Sequence, residues 1–162
     1  MGDELVLLVG TKRTPKETLE TIGSGMGIKA GIKELSGTLW SWRVKNGPLY
    51  TPSARSLHPS ESRMSLEHEE IEVNQIVLLD ISRWIDWNMQ MEQVVFGVAA
   101  FLTEESGDIL LQHNFVGKFV MRQKGKLHVS NDGERLPVGL RALFPEPYVL
   151  STLTDVDSFI NS

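Results

Sequence analysis

Residues 107–130 read GDILLQHNFVGKFVMRQKGKLHVS, and this stretch decides the fold. Three runs stand out in it: Asp108 to Gln112, Gly117 to Arg122, and Lys126 to Ser130. They carry Ile, Leu, Phe and Val, which suit a pleated, half-buried surface. The connections Asn114 to Gly117 and Gln123 to Gly125 have hairpin length and carry glycine, which joins antiparallel neighbours. The stretch therefore predicts a meander of three strands, closed by the turn signal Asn131-Asp132-Gly133.

Upstream of the meander, Trp84, Trp87, Met91, Val94, Val95, Val98, Phe101 and Leu102 recur at helical spacing as a wide apolar stripe. Ser82 or Asp80 can cap this helix, Asp86 suits its positive start, and Glu104-Glu105-Ser106-Gly107 ends it. Before it, Glu70 to Ile81 reads as a long strand. Its continuously apolar centre, Ile76 to Leu79, fits a strand covered on both faces. The chain opens with a short apolar strand, Glu4 to Val9. Thr14-Pro15-Lys16-Glu17 then starts a helix through a capping box and a proline at its first position. Leu19, Ile22 and Met26 continue that helix, and Gly23, Gly25 and Gly27 end it.

Between these parts, Ile28 to Leu35 is a weak strand and Thr38 to Val44 a stronger one, with Trp40, Trp42 and Val44 on one face. Residues 46–66 hold Gly47, Pro48, Pro52, Pro59 and five serines, and read as a long Pro/Ser-rich loop. Val138 to Phe144 reads as a short helix, and Tyr148 to Phe159 as a tail that docks on the body. The sum is one α+β domain over residues 1–162: a mainly antiparallel β-sheet with two main helices packed on one face, and a long loop at 46–66.

Composition narrows the function classes. A chain of 162 residues, 41% hydrophobic and 23% charged, has a globular make-up and excludes collagen, coiled coil and disorder. With zero cysteines there is no disulfide, zinc ribbon, iron–sulfur cluster or thiol nucleophile. The net charge of −5, from 16 basic and 21 acidic residues, argues against nucleic acid and anionic membranes as partners. The acidic start Met1-Gly2-Asp3-Glu4 is unlike a secretion signal. The longest apolar run, Val94 to Leu102, is too short to span a bilayer. The expected location is the cytoplasm.

Each candidate for chemistry meets a structural explanation. Gly23-Ser24-Gly25-Met26-Gly27 is glycine-rich, but it follows a helix, whereas a dinucleotide fingerprint follows a strand; it reads as helix termination. Glu67-His68-Glu69-Glu70 sets carboxylates beside an imidazole. On a strand, however, Glu67 and Glu69 face away from His68 and Glu70, so these ligands do not converge. His58, His68, His113 and His128 show no paired metal-ligand spacing, although His113 and His128 both lie in the meander and can meet across strands. Asp108 and Asp132 read as turn residues. Trp40, Trp42, Trp84 and Trp87 read as one core cluster, the alternative being an exposed aromatic patch for a partner. No catalytic residue, metal ligand or cofactor is expected.

One cluster remains as a candidate for partner binding. Glu61, Glu67, Glu69, Glu70 and Glu72 crowd the loop exit and the strand start. They read either as a solvated edge that discourages aggregation or as a negative surface that steers a basic protein partner.

The pattern as a whole carries a resemblance. Leu5 to Val9, Thr14-Pro15-Lys16-Glu17, the helix Trp84 to Leu102, Gly107-Asp108-Ile109-Leu110-Leu111 and Lys124-Gly125-Lys126-Leu127-His128-Val129 follow one another in order. Within that order, the stretch from Asp80 through Trp84 to Asn131 resembles the small immunity proteins associated with the myxobacterial swarming-inhibition (Sit) toxins. The resemblance implies a protein without catalysis or cofactor that neutralises a cognate polymorphic toxin by direct association in the producer's cytoplasm. It carries over no site residues. Two other readings stay open: a small hydrolase using Asp or Glu with His113 or His128, and a structural subunit that self-associates through sheet edges or tryptophans.

Overall fold

Asp3–Val9 forms the central strand β1, and the sheet is built outward from both of its edges. Along the chain follow α1 (Pro15–Gly25), β2 (Ile32–Ser36), β3 (Leu39–Trp42), β4 (Ser53–Ser56) and α2 (Pro59–Glu69). Then come β5 (Gln75–Ile81), α3 (Trp87–Glu104), β6 (Ile109–His113), β7 (Gly117–Gln123), β8 (Lys126–Ser130), a 3₁₀ helix (Val138–Leu143) and β9 (Val149–Ser151). The structure is a computed structural model and describes residues 3–27, 32–36, 39–42, 53–81, 86–114 and 117–153. The described strands join in the order β2-β3-β4-β5-β1-β6-β7-β8-β9. Every neighbouring pair is antiparallel except β8 and β9. The fold is α+β, as the meander predicts.

β1 shows why its sequence is apolar without alternation. Leu5, Leu7 and Val9 enter one core with Leu19 and Ile22 of α1 and Met91, Val94, Val98 and Phe101 of α3. Val6 and Leu8 enter a second core on the other face with Ile71, Val73, Ile76 and Leu110. Both sets are fully buried. At about 1.5–3 kcal/mol for each large side chain taken from water, this strand is a principal source of stability. The two main helices α1 and α3 share the first face, and α2 reaches the second through Met64.

α1 and α3 touch backbone to backbone. A Cβ on Gly25 would lie 2.7 Å from Ala100 Cβ, and one on Gly97 would lie 2.7 Å from the Ile22 carbonyl oxygen. The glycine run ends α1 as expected, with Gly25 its last residue and Gly27 at φ 76, and it has a packing role as well. The predicted capping box is present, with Thr14 Oγ1 accepting from Glu17 N at 3.2 Å and Glu17 accepting from Thr14 N at 3.2 Å. The meander turns at Lys124-Gly125, both with positive φ, the geometry that matches strand twist.

Three expectations need correction. The segment 46–66 is not one long loop. Residues 46–52 lie outside the described residues, but Ser53–Ser56 is β4, paired with β3 and β5, and Pro59–Glu69 is α2. Pro59 stands at the first helical position, where a missing N–H costs nothing, and Glu61 reaches back to His58 N at 2.9 Å. Secondly, the strand expected over Glu70 to Ile81 begins at Gln75. Glu67 to Glu69 are helical, and Glu70 ends α2 in the left-handed region (φ 55), its N–H bonded to Leu66 O. Thirdly, α3 is capped by Asp86, which accepts from Met89 N at 3.2 Å, rather than by Asp80. The other candidate cap, Ser82, lies outside the described residues together with Trp84.

Of the expected tryptophan cluster, only the Trp87 side chain is described. It is half-buried and lies 5.2 Å from the His113 ring and 6.5 Å from the Phe119 ring. No described helix is long and apolar enough to cross a membrane.

Candidate functional site

Three segments converge where β1 ends: Gly10 to Arg13, Glu72 to Asn74, and Glu105 to Asp108. Neighbouring strands must leave the sheet here, and their backbone groups need new partners. Gly10 N donates to Asp108 O (2.8 Å) and Asn74 N to Val9 O (2.9 Å). The Asn74 amide clamps Thr11, accepting from its N–H (3.0 Å) and donating to its carbonyl (2.7 Å). The Asp108 carboxylate accepts from Glu72 N (2.9 Å) and Lys124 N (3.0 Å).

Two arginines tie α3 into this corner. Arg122 donates to the carbonyls of Leu102 (3.0 Å), Glu105 and Gly107 (2.8 Å). These are carbonyls at and just beyond the helix C-terminus, where a cation is favourable. Burial lowers the Arg122 pKa from its ordinary value, and the nearby Asp108 and Glu105 carboxylates oppose that shift. Arg13 holds Glu105 at 2.6 Å, Glu104 at 3.5 Å and Thr21 Oγ1 at 2.8 Å.

Between this corner and α2 lies a cleft of about 770 Å³. Lys12 and Arg63 line it from different segments, together with Ser62, Leu66, Glu72 and the backbone at Gly107. The side chains of Lys12 and Arg63 make no hydrogen bond or ion pair with the described residues. An anion entering the cleft therefore meets positive groups that no protein carboxylate has neutralised. No group of three His, Asp or Glu among the described residues could hold a metal ion.

The five candidate carboxylates do not act together. Glu61 forms a two-pronged pair with Arg55, at 2.9 and 3.1 Å. Glu69 is buried and lies 2.7 Å from Lys118 Nζ, itself buried. Glu67 and Glu70 are exposed at the end of α2, and Glu72 is exposed on the cleft wall. The helical geometry of 59–69 explains the split: it turns Glu61 and Glu69 toward the sheet and leaves Glu67 outside. The expected negative surface thus comes down to Glu67, Glu70 and Glu72.

His113 and His128 do not meet. His113 lies with Trp87 and Phe119 on the α1–α3 face, its ring 6.1 Å from that of Phe119. His128 is paired with Met121, whose side chain packs on the second core, so His128 points to the opposite face. Its Nδ1 lies 2.9 Å from Ser151 Oγ. The geometry does not unite these two histidines in one site.

The outer face of α3 carries a feature missing from the sequence reading. Met89 is 66% exposed and Phe96 44%. Both fall outside the apolar stripe, and that mismatch was the available signal. The cleft had no local signal, because Lys12 and Arg63 meet only through the tertiary fold.

The Glu61–Arg55 pair gives a pH dependence. The Arg55 hydrogen bonds hold the Glu61 carboxyl below the usual carboxylate range. A lowered acid pKa adds stability above the unfolded-state value, and that stability is lost as pH falls through the folded value. Glu61→Gln should therefore lower the urea midpoint at pH 7, with the difference from the parent protein shrinking at pH 3. A difference unchanged between the two pH values would show that the charge plays no part.

No family model, curated protein or solved structure matches this chain.

Proposed function

We propose that this chain is a binding protein of the immunity type, which neutralises a toxic protein partner in the cytoplasm by direct association and catalyses nothing. The observation that carries the reading is the exposed apolar pair on α3. Met89 and Phe96 are seven residues apart, so they share a helix face about 10 Å apart along the axis. Phe and Met are enriched at protein interfaces, and two of them exposed on one helix face suit the anchors of a partner. The glycine crossing with α1 and the Arg122 bonds at the C-terminal end hold α3 in place, so little ordering cost attends binding.

Charge supports the same reading. A net charge of −5 and the exposed Glu67, Glu70 and Glu72 favour encounter with a basic partner. The resemblance to the swarming-inhibition immunity proteins supplies the class of partner. The test is growth of a heterologous host expressing the product of the neighbouring upstream gene, alone and together with this chain. Toxicity relieved by the chain, and not by Met89→Glu/Phe96→Glu, is the expected result. A harmless neighbour product, or toxicity that persists beside the chain, overturns the reading.

A further inference from the structure

We infer that the cleft between α2 and the end of β1 binds a small organic molecule carrying one singly charged oxyanion, a carboxylate or a phosphodiester, on an apolar body. Its volume of about 770 Å³ lies within the range of small-molecule sites, about 300–1,000 Å³. The charge pattern selects the ligand. Arg13, Arg55, Lys118 and Arg122 are each held by protein acceptors. Lys12 and Arg63, which line the cleft from two different segments, have no such acceptor among the described residues.

Two carboxylates also line the space, and they differ in state. Glu105 is already engaged by Arg13 at 2.6 Å. Glu72 has no cation partner among the described residues. Among the lining groups without such a partner, the cations Lys12 and Arg63 outnumber the carboxylate Glu72 by one, which leaves one cation for a single anionic group. Leu66, 45% exposed, and Val73 line the same space and supply an apolar wall for the rest of the molecule. The rim is preformed: the Asn74 clamp on Thr11 and the Asp108 bond to Glu72 N fix its backbone before any ligand arrives. This site is separate from the exposed pair on α3, and the inference stands without the proposed function.

The test is an NMR titration of the full chain, labelled with nitrogen-15, at low salt. The probes are benzoate, dibutyl phosphate and, as the uncharged control, benzyl alcohol. Saturable shifts of the Thr11, Arg63 and Gly107 amides with at least one anion are expected, and whichever anion binds more tightly identifies the head group. Lys12→Gln/Arg63→Gln should weaken binding at least tenfold with the spectrum otherwise retained, since both side chains are exposed. Glu72→Gln should tighten it several-fold. Absence of saturable shifts with both anions, unchanged affinity in the double variant, or equal affinity for benzyl alcohol would each overturn the inference.

Discussion

Lys118→Met is expected to destabilise the protein by about 3–5 kcal/mol, the cost of leaving one partner of a buried ion pair alone. Lys118 and Glu69 are 9% and 5% exposed in their side chains and lie 2.7 Å apart. The pair joins β7 to the last turn of α2, beneath which the second core lies. Gln112, buried and opposite Lys118 in the register, shares that face. Removing the amine leaves the Glu69 carboxylate, 5% exposed, without its cation. Gln123 cannot replace the lysine, because it donates to the carbonyls of Glu69 and Glu70 rather than to the carboxylate.

The double replacement Lys118→Met/Glu69→Leu should recover most of the loss, since an apolar pair of similar size is often neutral or better in such a site. Urea denaturation of the two variants measures both effects through the midpoint at constant slope. A Lys118→Met cost below about 1 kcal/mol, the range of a solvated surface pair, would mean that water reaches the pair.

Gly107→Ala should cost about 3 kcal/mol or more, above the ordinary penalty of overpacking, because backbone cannot yield as a side chain does. The added Cβ would stand 1.9 Å from Gly10 O and 2.8 Å from Gly10 C. Moving Gly107 away pulls on the Arg122 bond to its carbonyl, and moving Gly10 pulls on its bond to Asp108 O. Both belong to the corner that forms the cleft. Gly139→Ala is the matched control: nothing lies within 4 Å of its Cβ position, so its thermal midpoint should stay close to that of the parent protein. Equal midpoints for Gly107→Ala and the parent protein would show that the two segments do not touch.

The parts of this fold legible in the sequence are those whose signals are local. The meander shows itself in hairpin-length breaks, and α1 in a capping box completed within four residues, Thr14 to Glu17. α2 carries the same start, His58-Pro59-Ser60-Glu61, with Glu61 on His58 N. Its sequence reads as loop because the sheet-facing residues include Met64, Ser65 and Glu69 rather than an apolar stripe. A buried carboxylate at the end of a helix announces itself only through its partner, and Lys118 lies far along the chain. β4 is similarly silent: in Ser53–Ser56 only Ala54 is buried, and the strand exists because β3 and β5 supply its bonds.

The candidate sites follow the same division. Five glutamates close in sequence suggested one surface, yet internal ion pairs with Arg55 and Lys118 engage two of them. Lys12 and Arg63 gave no sign of being neighbours across a cleft. The exposed Met89 and Phe96 were visible as apolar residues off the core stripe of α3.

Direct association is the claim on which the functional reading depends. Isothermal titration of the purified chain into the purified toxic domain of the neighbouring gene's product measures it. The expected result is a saturating one-to-one isotherm that disappears with Met89→Glu/Phe96→Glu, while the folded spectrum of that variant is retained. No heat of binding from the unaltered chain, at concentrations where the domain is active, would contradict it.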